Sequence, residues 1–353
     1  DVCSSDLSAF LMAEYMSIPY AQVAVKAILP ALLYFTGIFI AVHLEAKKLG
    51  LKGMPKSEMV SWGELAKRAY LIIPLALLIF LVSSGSRTMQ FSAAVSILAA
   101  IVVGFLNKEE RLTFGKIVEA LEAGAKGAIT VAVACAMAGM IAGCITVTGL
   151  ASILINAIVQ AAGDATIIGL ALTMICCIIL GMGVPTTANY CIMASTCAPI
   201  LVQMDFPVVA AHFFVFYFGI VADITPPVAL AAYAGAAIAK ANPMKTGFNA
   251  TKLAIAAFVV PYIFAYSPAM LFENVSGPFA VVQIVISALL GLFGIAAALN
   301  GYLYKKIPVL FRLALVAGGL GMMIPGTLSD VAGLVVVGGI VLIQRMSARK
   351  LAA

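Results

Sequence analysis

Two short polar segments interrupt an otherwise apolar stretch of the chain. One reads GMGVPTTANY, at 181–190, and the other reads VADITPPVAL, at 221–230. Glycine and proline end a helix and free backbone carbonyls, and Thr186, Thr187 and Asn189 add side-chain oxygens. Such oxygens are ligands for a small hard cation rather than for a soft metal. A helix that begins near residue 187 would also present the positive end of its dipole to an anion.

The second segment repeats this combination around a carboxylate. Asp223 and Thr225 precede Pro226 and Pro227, which we expect in the first turn of a new helix, where proline is tolerated. At membrane depth, non-helical backbone persists only where protein or a water-filled cavity surrounds it. A lone break of this kind is usually an ordinary kink. Paired breaks instead point to the binding site of a secondary transporter built from discontinuous helices.

The composition is that of a membrane protein with several spans. Of 353 residues, 63% are hydrophobic and 10% are charged, and the mean hydropathy is +1.13. Apolar runs long enough to span a bilayer recur, and they predict an all-α polytopic fold with about 9–11 membrane segments. The net charge of +6 concerns orientation and lipid contact in the bilayer. No basic patch interleaved with aromatic residues indicates a nucleic-acid partner.

The distribution of charge orients the predicted spans. Residues 127–239 contain no lysine or arginine, whereas basic residues cluster in connections on both sides of this stretch. Basic connections alternate with nearly uncharged ones, so the positive-inside rule assigns the basic side to the cytoplasm. The predicted spans outside 127–239 are 22–44, 69–83, 89–106, 253–272, 279–299, 309–327 and 331–346.

Charged residues outside the spans have simpler interpretations. The segments 45–68 and 113–126 are predicted to form helices that lie along the membrane surface. Asp164 and Asp205 stand beside glycine or proline and are predicted to be turn or cap residues. Asp223 is left as a carboxylate within a predicted span. An ionisable residue in that position indicates a functional role.

Three segments carry a resemblance to a known family. They are GMGVPTTANY, the segment AHFFVFYFGIVADITPPVALAAYAGAAIA at 211–239, and AFLMAEYMSIPYAQVAVKAILPALLYFTGIFIAVHLEAKKLGLKG at 9–53. Together they resemble the large, DctM-like permease subunit of the tripartite ATP-independent periplasmic (TRAP) transporters, over residues 9–272. The closer similarity is to the fused-permease branch that works with TAXI-type binding proteins. Residues 279–346 resemble the extra C-terminal helices common in that branch.

The resemblance implies an elevator-type transporter of the bacterial inner membrane, with inverted repeats, re-entrant hairpins and interrupted helices. It implies sodium symport of an organic anion, such as a C4-dicarboxylate, that a periplasmic TAXI-type substrate-binding protein delivers. The residues implied in ion and substrate binding are Gly181, Gly183, Pro185, Thr186, Thr187, Asn189, Asp223, Ile224, Thr225, Pro226 and Pro227. The implied sodium ligands among them are Gly181, Thr186, Thr187 and Thr225.

The resemblance also predicts a division of the chain, in which most of the first repeat and the small-subunit helices are missing. Residues 1–7, DVCSSDL, read as a foreign or misread start. The other expected regions are a remnant of the first re-entrant hairpin at 8–21, scaffold helices with amphipathic arms at 22–126, the second-repeat transport region at 127–250 with its tip at 223–227, a closing scaffold helix at 251–277, and extra transmembrane helices at 278–353.

The residues alone leave three alternatives to consider. A proton-coupled transporter would use Asp223 as its proton carrier. A chain without the first repeat would be an inactive fragment of the permease. An intramembrane enzyme would need a nucleophile–base pair or facing aspartates, and a single strong intramembrane aspartate does not favour it. We therefore expect no enzyme activity.

Overall fold

Helices account for most of the chain, as the apolar runs of the sequence require. The computed structural model describes residues 2–51, 53, 61–84, 88–107, 112–275, 277–324 and 326–352. Across those ranges the regular structure is helical, and an isolated antiparallel bridge joins Tyr302 to Lys306. The predicted all-α fold is confirmed.

Within the described ranges, the first part of the chain forms six helices. They are α1 (Val2–Tyr15), α2 (Tyr20–Lys48), α3 (Trp62–Lys67), α4 (Ile73–Ser83), α5 (Met89–Leu106) and α6 (Phe114–Val147), with a 3-10 segment at Ala69–Ile72. Helix α6 begins within the predicted surface segment 113–126 and continues without a break into the next apolar run. In the other predicted surface segment, 45–68, residues 52 and 54–60 lie outside the described ranges.

The remainder of the chain forms eleven shorter and longer helices within the described ranges. They are α7 (Leu150–Ala162), α8 (Thr166–Gly181), α9 (Thr186–Thr196), α10 (Ala198–Gln203), α11 (Val208–Val221), α12 (Leu230–Ile238), α13 (Pro243–Leu253), α14 (Ile255–Tyr266), α15 (Pro278–Asn300), α16 (Val309–Gly321) and α17 (Thr327–Ala352). Two 3-10 segments, Ala222–Ile224 and Pro268–Leu271, follow α11 and α14.

These helices divide into two compact units. The smaller unit comprises 9–25 and 52–136, and in it α4 packs against α5. The larger unit comprises 1–8, 26–51 and 137–353 and contains both polar breaks.

Helix α11 forms the core of the larger unit. It is apolar on every face, which is typical of a buried helix, and it packs against α8, α9 and α14. Phe213, Phe214, Val215 and Phe218 are buried on it. The aromatic run of the sequence is thus an internal packing surface that holds the second break in place.

Glycines allow the C-terminal helices α15, α16 and α17 to approach closely. A Cβ atom at Gly291 would lie 2.7 Å from the carbonyl oxygen of Gly319, and a Cβ at Gly333 would lie 2.5 Å from that of Gly318. In membranes, small residues at helix interfaces permit this backbone contact. The three helices therefore form a tight bundle at the end of the chain.

Among the described residues, four helices are long and apolar enough to cross a membrane. They are Tyr20–Lys48, Pro243–Tyr266, Pro278–Asn300 and Thr327–Ser347. A fifth candidate is the pair Gly139–Ile145 and Leu150–Ala162, which is bent by 67°. Shorter apolar helices coincide with the predicted spans 69–83, 89–106 and 309–327. The chain is therefore a multi-pass membrane protein, and the full number of membrane segments stays a prediction.

Candidate ion and substrate site at two helix breaks

The first break separates α8 from α9. Helix α8 ends at Gly181 and α9 begins at Thr186, one residue before the predicted start. Gly183, between them, has a φ of +74°, a left-handed conformation that glycine adopts without steric cost. The first turn of α9 then places Thr186, Thr187 and Asn189 in buried positions.

Both helix ends at this break keep unused polar groups. The amides of Met182 and Val184 lie 3.4 Å from the carbonyl oxygens of Ile179 and Gly181, longer than the usual 2.9–3.0 Å. The last carbonyls of α8 thus retain capacity as acceptors. Pro185 precedes α9 without a side-chain cap, so the positive end of this helix dipole is not covered by a capping oxygen.

The second break differs from its prediction in one respect. Pro226 and Pro227 do not begin the returning helix, because α12 begins only at Leu230. The prolines, joined by a cis peptide bond, lie in the turn before it. Ala229 has a φ of +34°, and this left-handed residue separates the turn from the right-handed helix.

Two side chains that the sequence interpretation did not single out hold this turn. The hydroxyl of Thr251, on α13, donates to the carbonyl oxygen of Ile224 at 3.0 Å, and the hydroxyl of Tyr233 donates to that of Pro227 at 2.6 Å. Gly247 allows α13 to approach, since a Cβ there would lie 3.0 Å from Pro226 Cγ. Thr251 and Gly247 lie in the polar segment PMKTGFNATKL, so the local sequence does not single them out for these roles.

The two breaks meet around Asn189. Its Nδ2 donates to the carbonyl oxygen of Gly219, near the end of α11, at 2.9 Å. A Cβ at Gly181 would lie 2.7 Å from the same Nδ2 and 3.0 Å from Ala222 Cβ, in the 3-10 segment of the second break. The turns also touch, because a Cβ at Gly183 would lie 3.9 Å from Val228 Cγ1. Position 181 therefore requires glycine because Asn189 and Ala222 approach it closely, as well as because α8 ends there.

Asn189 leaves one oxygen without a partner. The residue is 1% exposed, and its Oδ1 accepts no hydrogen bond from the described residues. An amide oxygen buried without a partner costs about 1–3 kcal/mol. This oxygen is therefore available to accept a contact at the junction of the two breaks.

Two other predicted residues take distinct environments. Thr225 donates its hydroxyl proton to the carbonyl oxygen of Val221 at 2.7 Å, which leaves the lone pairs of its oxygen available. Asp223 is half-buried, and no hydrogen bond or ion pair reaches its carboxylate from the part of the chain that the structure describes. The hydroxyl oxygen of Thr225 can therefore still accept a contact, and the carboxylate of Asp223 has no counter-ion among the described residues.

A buried hydrogen-bonded pair joins α9 to α11 next to Asn189. The hydroxyl of Tyr190, next to Asn189 on α9, is hydrogen-bonded to Nδ1 of His212 on α11 at 2.8 Å. Both side chains are buried. Because the pair joins the two helices that carry the breaks, it fixes the orientation of α9 relative to α11.

The comparison with protein families decides the identity. The family model described as "Tripartite ATP-independent periplasmic transporter, DctM component" matches residues 4–292. The chain belongs to this family. No curated protein and no solved structure matches it. As a DctM component it is part of a transporter and not an enzyme, and the family implies a periplasmic binding protein and a small membrane subunit as partners.

Both breaks of this DctM component lie inside the matched range, whereas α16 and α17 lie beyond it. The contacts that join the breaks run to Gly219, Ala222 and Val228 and lie in the part of the chain that is shared with the family. Of the predicted site residues, Gly181, Gly183 and Asn189 make these contacts, and Gly183 and Pro185 are exposed.

Proposed function

We propose that this DctM component imports an organic anion, such as a C4-dicarboxylate, together with sodium across the bacterial inner membrane. A periplasmic binding protein, of the TAXI type, delivers the anion. The observation that carries the proposal is the buried, unpartnered Oδ1 of Asn189 at the meeting point of two helix breaks.

A sodium ion fits the donor set at this junction. Amide, hydroxyl and carbonyl oxygens are hard ligands, and hard cations such as sodium prefer them. The ligands would be Asn189 Oδ1, the carbonyl of Gly181, and the hydroxyl oxygens of Thr186, Thr187 and Thr225. Within the described residues, no group of histidine, cysteine and carboxylate side chains suits a transition metal.

The anion would be held by dipoles rather than by a basic side chain. Residues 127–239 contain no lysine or arginine, so charge compensation in this region must come from elsewhere. The uncapped N-terminus of α9 supplies aligned amides, which favour a carboxylate. A sodium ion in the same junction adds a positive charge beside it.

Ion and anion would reinforce each other because they use one loop. Sodium bound between Asn189 and Thr225 would order the turn 225–229, and the ordered turn would then narrow the anion site. The first ligand to bind would order the turn, so the second ligand would lose less binding free energy to the conformational entropy of that turn. The two ligands would therefore bind with positive cooperativity. Low sodium in the cytoplasm would reverse both steps and release the anion.

Uptake into proteoliposomes tests the proposal. The transporter is reconstituted with its binding protein and small subunit, and accumulation of radiolabelled anion is followed under a sodium gradient. Thr225→Val and Asn189→Ala should each raise the half-saturating sodium concentration about 10- to 100-fold, the effect of removing one polar contact to a charge. Ser195→Ala is the matched control, because among the described residues its hydroxyl bonds to two carbonyls of its own helix, α9. Accumulation that ignores the sodium gradient would refute the proposal.

A second function, proton-coupled uptake, is favoured by one observation. Asp223 is half-buried at the turn without a hydrogen bond or ion pair from the described chain, and such a carboxylate could carry a proton across the membrane. Uptake driven by a pH gradient in sodium-free buffer, abolished in Asp223→Asn, would establish this function. Uptake that persists in Asp223→Asn under a sodium gradient would exclude it.

A further inference from the structure

A cavity of about 940 Å³ opens at one end of the C-terminal helices. Its walls are the last turn of α2, α13, the end of α15, the loop 301–308 and the first turn of α16. Four cationic side chains line it, namely Lys48, Lys252, Lys306 and Arg312. By the positive-inside rule this end faces the cytoplasm.

The positive charge of the cavity is only partly neutralised. Glu45 is shared between Lys48, at 3.1 Å, and Lys252, at 3.5 Å. Among the described residues, no carboxylate pairs with Lys306 or Arg312. Glu45 therefore neutralises one of the four positive charges, and the cavity retains an excess of positive charge.

Arg312 has a structural role in addition to its charge. Its Nε donates to the carbonyl oxygen of Ala298, at the end of α15, at 2.6 Å. The guanidinium thus caps the last turn of that helix. Lys306 and Lys252 have no such role toward α15 and are the better positions for testing charge alone.

The wall also contains two polar features that suit a phosphate ester. Asn300 is buried in it, with Nδ2 donating to the carbonyl oxygen of Ala41 at 3.0 Å and Oδ1 without a partner. That oxygen can accept from a hydroxyl group. The N-terminus of α16 starts at the cavity after Pro308, without a side-chain cap, and its amides favour a negative group.

An apolar surface continues from the cavity along α16. Val309 lies in the cavity wall, and Val309, Leu310 and Leu313 are exposed by 69%, 74% and 64%. In a spanning bundle such side chains face acyl chains. A ligand with an anionic head and hydrocarbon tails would use the cavity and this surface together, whereas a small soluble anion would use the cavity alone.

We propose that this basic cavity binds the headgroup of an anionic glycerophospholipid, such as phosphatidylglycerol, with its acyl chains lying along α16. The phosphodiester lies among the cations and the amides of α16, and a glycerol hydroxyl donates to Asn300 Oδ1. Basic pockets between membrane helices on the cytoplasmic side are a recurring form of lipid recognition. Residues 293–312 lie beyond the range that matches the family, whereas Lys48 and Lys252 lie within it, so the C-terminal extension completes this site.

Native mass spectrometry of the full chain in detergent tests the proposal. The protein is titrated with phosphatidylglycerol, with phosphatidylcholine of the same acyl chains, and separately with inorganic phosphate. Phosphatidylglycerol should bind more tightly than phosphatidylcholine, and Lys306→Gln or Lys252→Gln should each weaken it about fivefold, the contribution of one basic residue near a membrane surface. Lys305→Gln is the control, because Lys305 contacts Ser347 and does not line the cavity.

Three results would overturn the proposal. Equal binding of the two lipids would show that the negative charge of the headgroup is not recognised. An equal loss in Lys305→Gln would make the effect one of general surface charge. Competition by inorganic phosphate at concentrations that displace the lipid completely would assign the cavity to a soluble anion instead. Should a variant be poorly folded, the wild-type salt dependence decides, since specific ionic binding must weaken as salt screens the charges.

Discussion

Replacing Gly181 by alanine should destabilise the fold and also weaken ion binding. The added Cβ would lie 2.7 Å from Asn189 Nδ2, 3.0 Å from Ala222 Cβ and 3.1 Å from Met193 Cε. A separation below 3.0 Å forces a neighbour to move, and the amide of Asn189 is the nearest. Because that amide is also hydrogen-bonded to Gly219, its displacement would move Oδ1 away from the junction of the breaks.

The size of the effect follows from these contacts. Overpacking a tight site costs about 1–3 kcal/mol, and loss of the hydrogen bond to Gly219 adds about 0.5–1.5 kcal/mol. We therefore expect a destabilisation of about 1.5–4.5 kcal/mol from the two sources together. Sodium affinity should fall by a further factor of about 10, because one oxygen ligand is displaced.

Gly235→Ala provides the matched control. Gly235 lies within α12, in the same transport region, and a Cβ there would meet nothing within 4 Å. Alanine at this helical position should be neutral or stabilising by up to about 1 kcal/mol. Both variants are compared by thermal unfolding in detergent with sodium chloride and with choline chloride at equal ionic strength. A Gly181→Ala protein that matches Gly235→Ala in stability and sodium response would refute the assignment of the junction.

Three further predictions concern the C-terminal bundle, the ion pair of Lys26 with Glu273, and the second turn. Gly291→Ala should lower stability by about 1–3 kcal/mol in thermal unfolding, because its Cβ would lie 2.7 Å from a backbone oxygen of α16, which cannot rotate away; Gly338→Ala, with open space around it, should not. Lys26→Gln and Glu273→Gln should each cost about 1 kcal/mol, and the double variant no more than the larger single loss, because they remove one partly buried ion pair; additive losses in that cycle would contradict the pairing. Thr251→Val should loosen the second turn by about 1 kcal/mol and reduce sodium affinity, measured by sodium titration, since it removes the bond to the tip carbonyl; an unchanged affinity would show that the turn does not need this anchor.

The sequence was sufficient for most of the long apolar helices and for the position of both breaks, but not for α6, which joins a predicted surface helix to the next apolar run. Apolar runs of bilayer length predicted α2, α14, α15 and α17, because every backbone group in hydrocarbon must be satisfied within a helix. Glycine and proline predicted the ends of α8 and α11 for the same local reason. These signals depend on residues close together in the chain and need no knowledge of the tertiary contacts.

The details of the site depended on distant contacts. The returning helix was expected at the prolines, but the turn continues to Ala229, held by Thr251 from α13. Nothing in the local sequence indicates that a threonine 27 positions away donates to this turn. Likewise, Asn189 was predicted as a site residue, but its unpaired oxygen follows from the approach of Gly219 and Gly181, which only the packing of α8, α9 and α11 determines.

The most direct test of the central claim is a sodium titration of the purified chain, followed by thermal unfolding at constant ionic strength. If sodium binds at the junction of the breaks, the unfolding temperature of the wild type should rise with sodium, since a ligand at 100 times its dissociation constant stabilises by about 2.7 kcal/mol. Asn189→Ala should lose most of this response while keeping its response to anionic lipid. An equal response to sodium and to choline in the wild type, or a full sodium response in Asn189→Ala, would contradict the account.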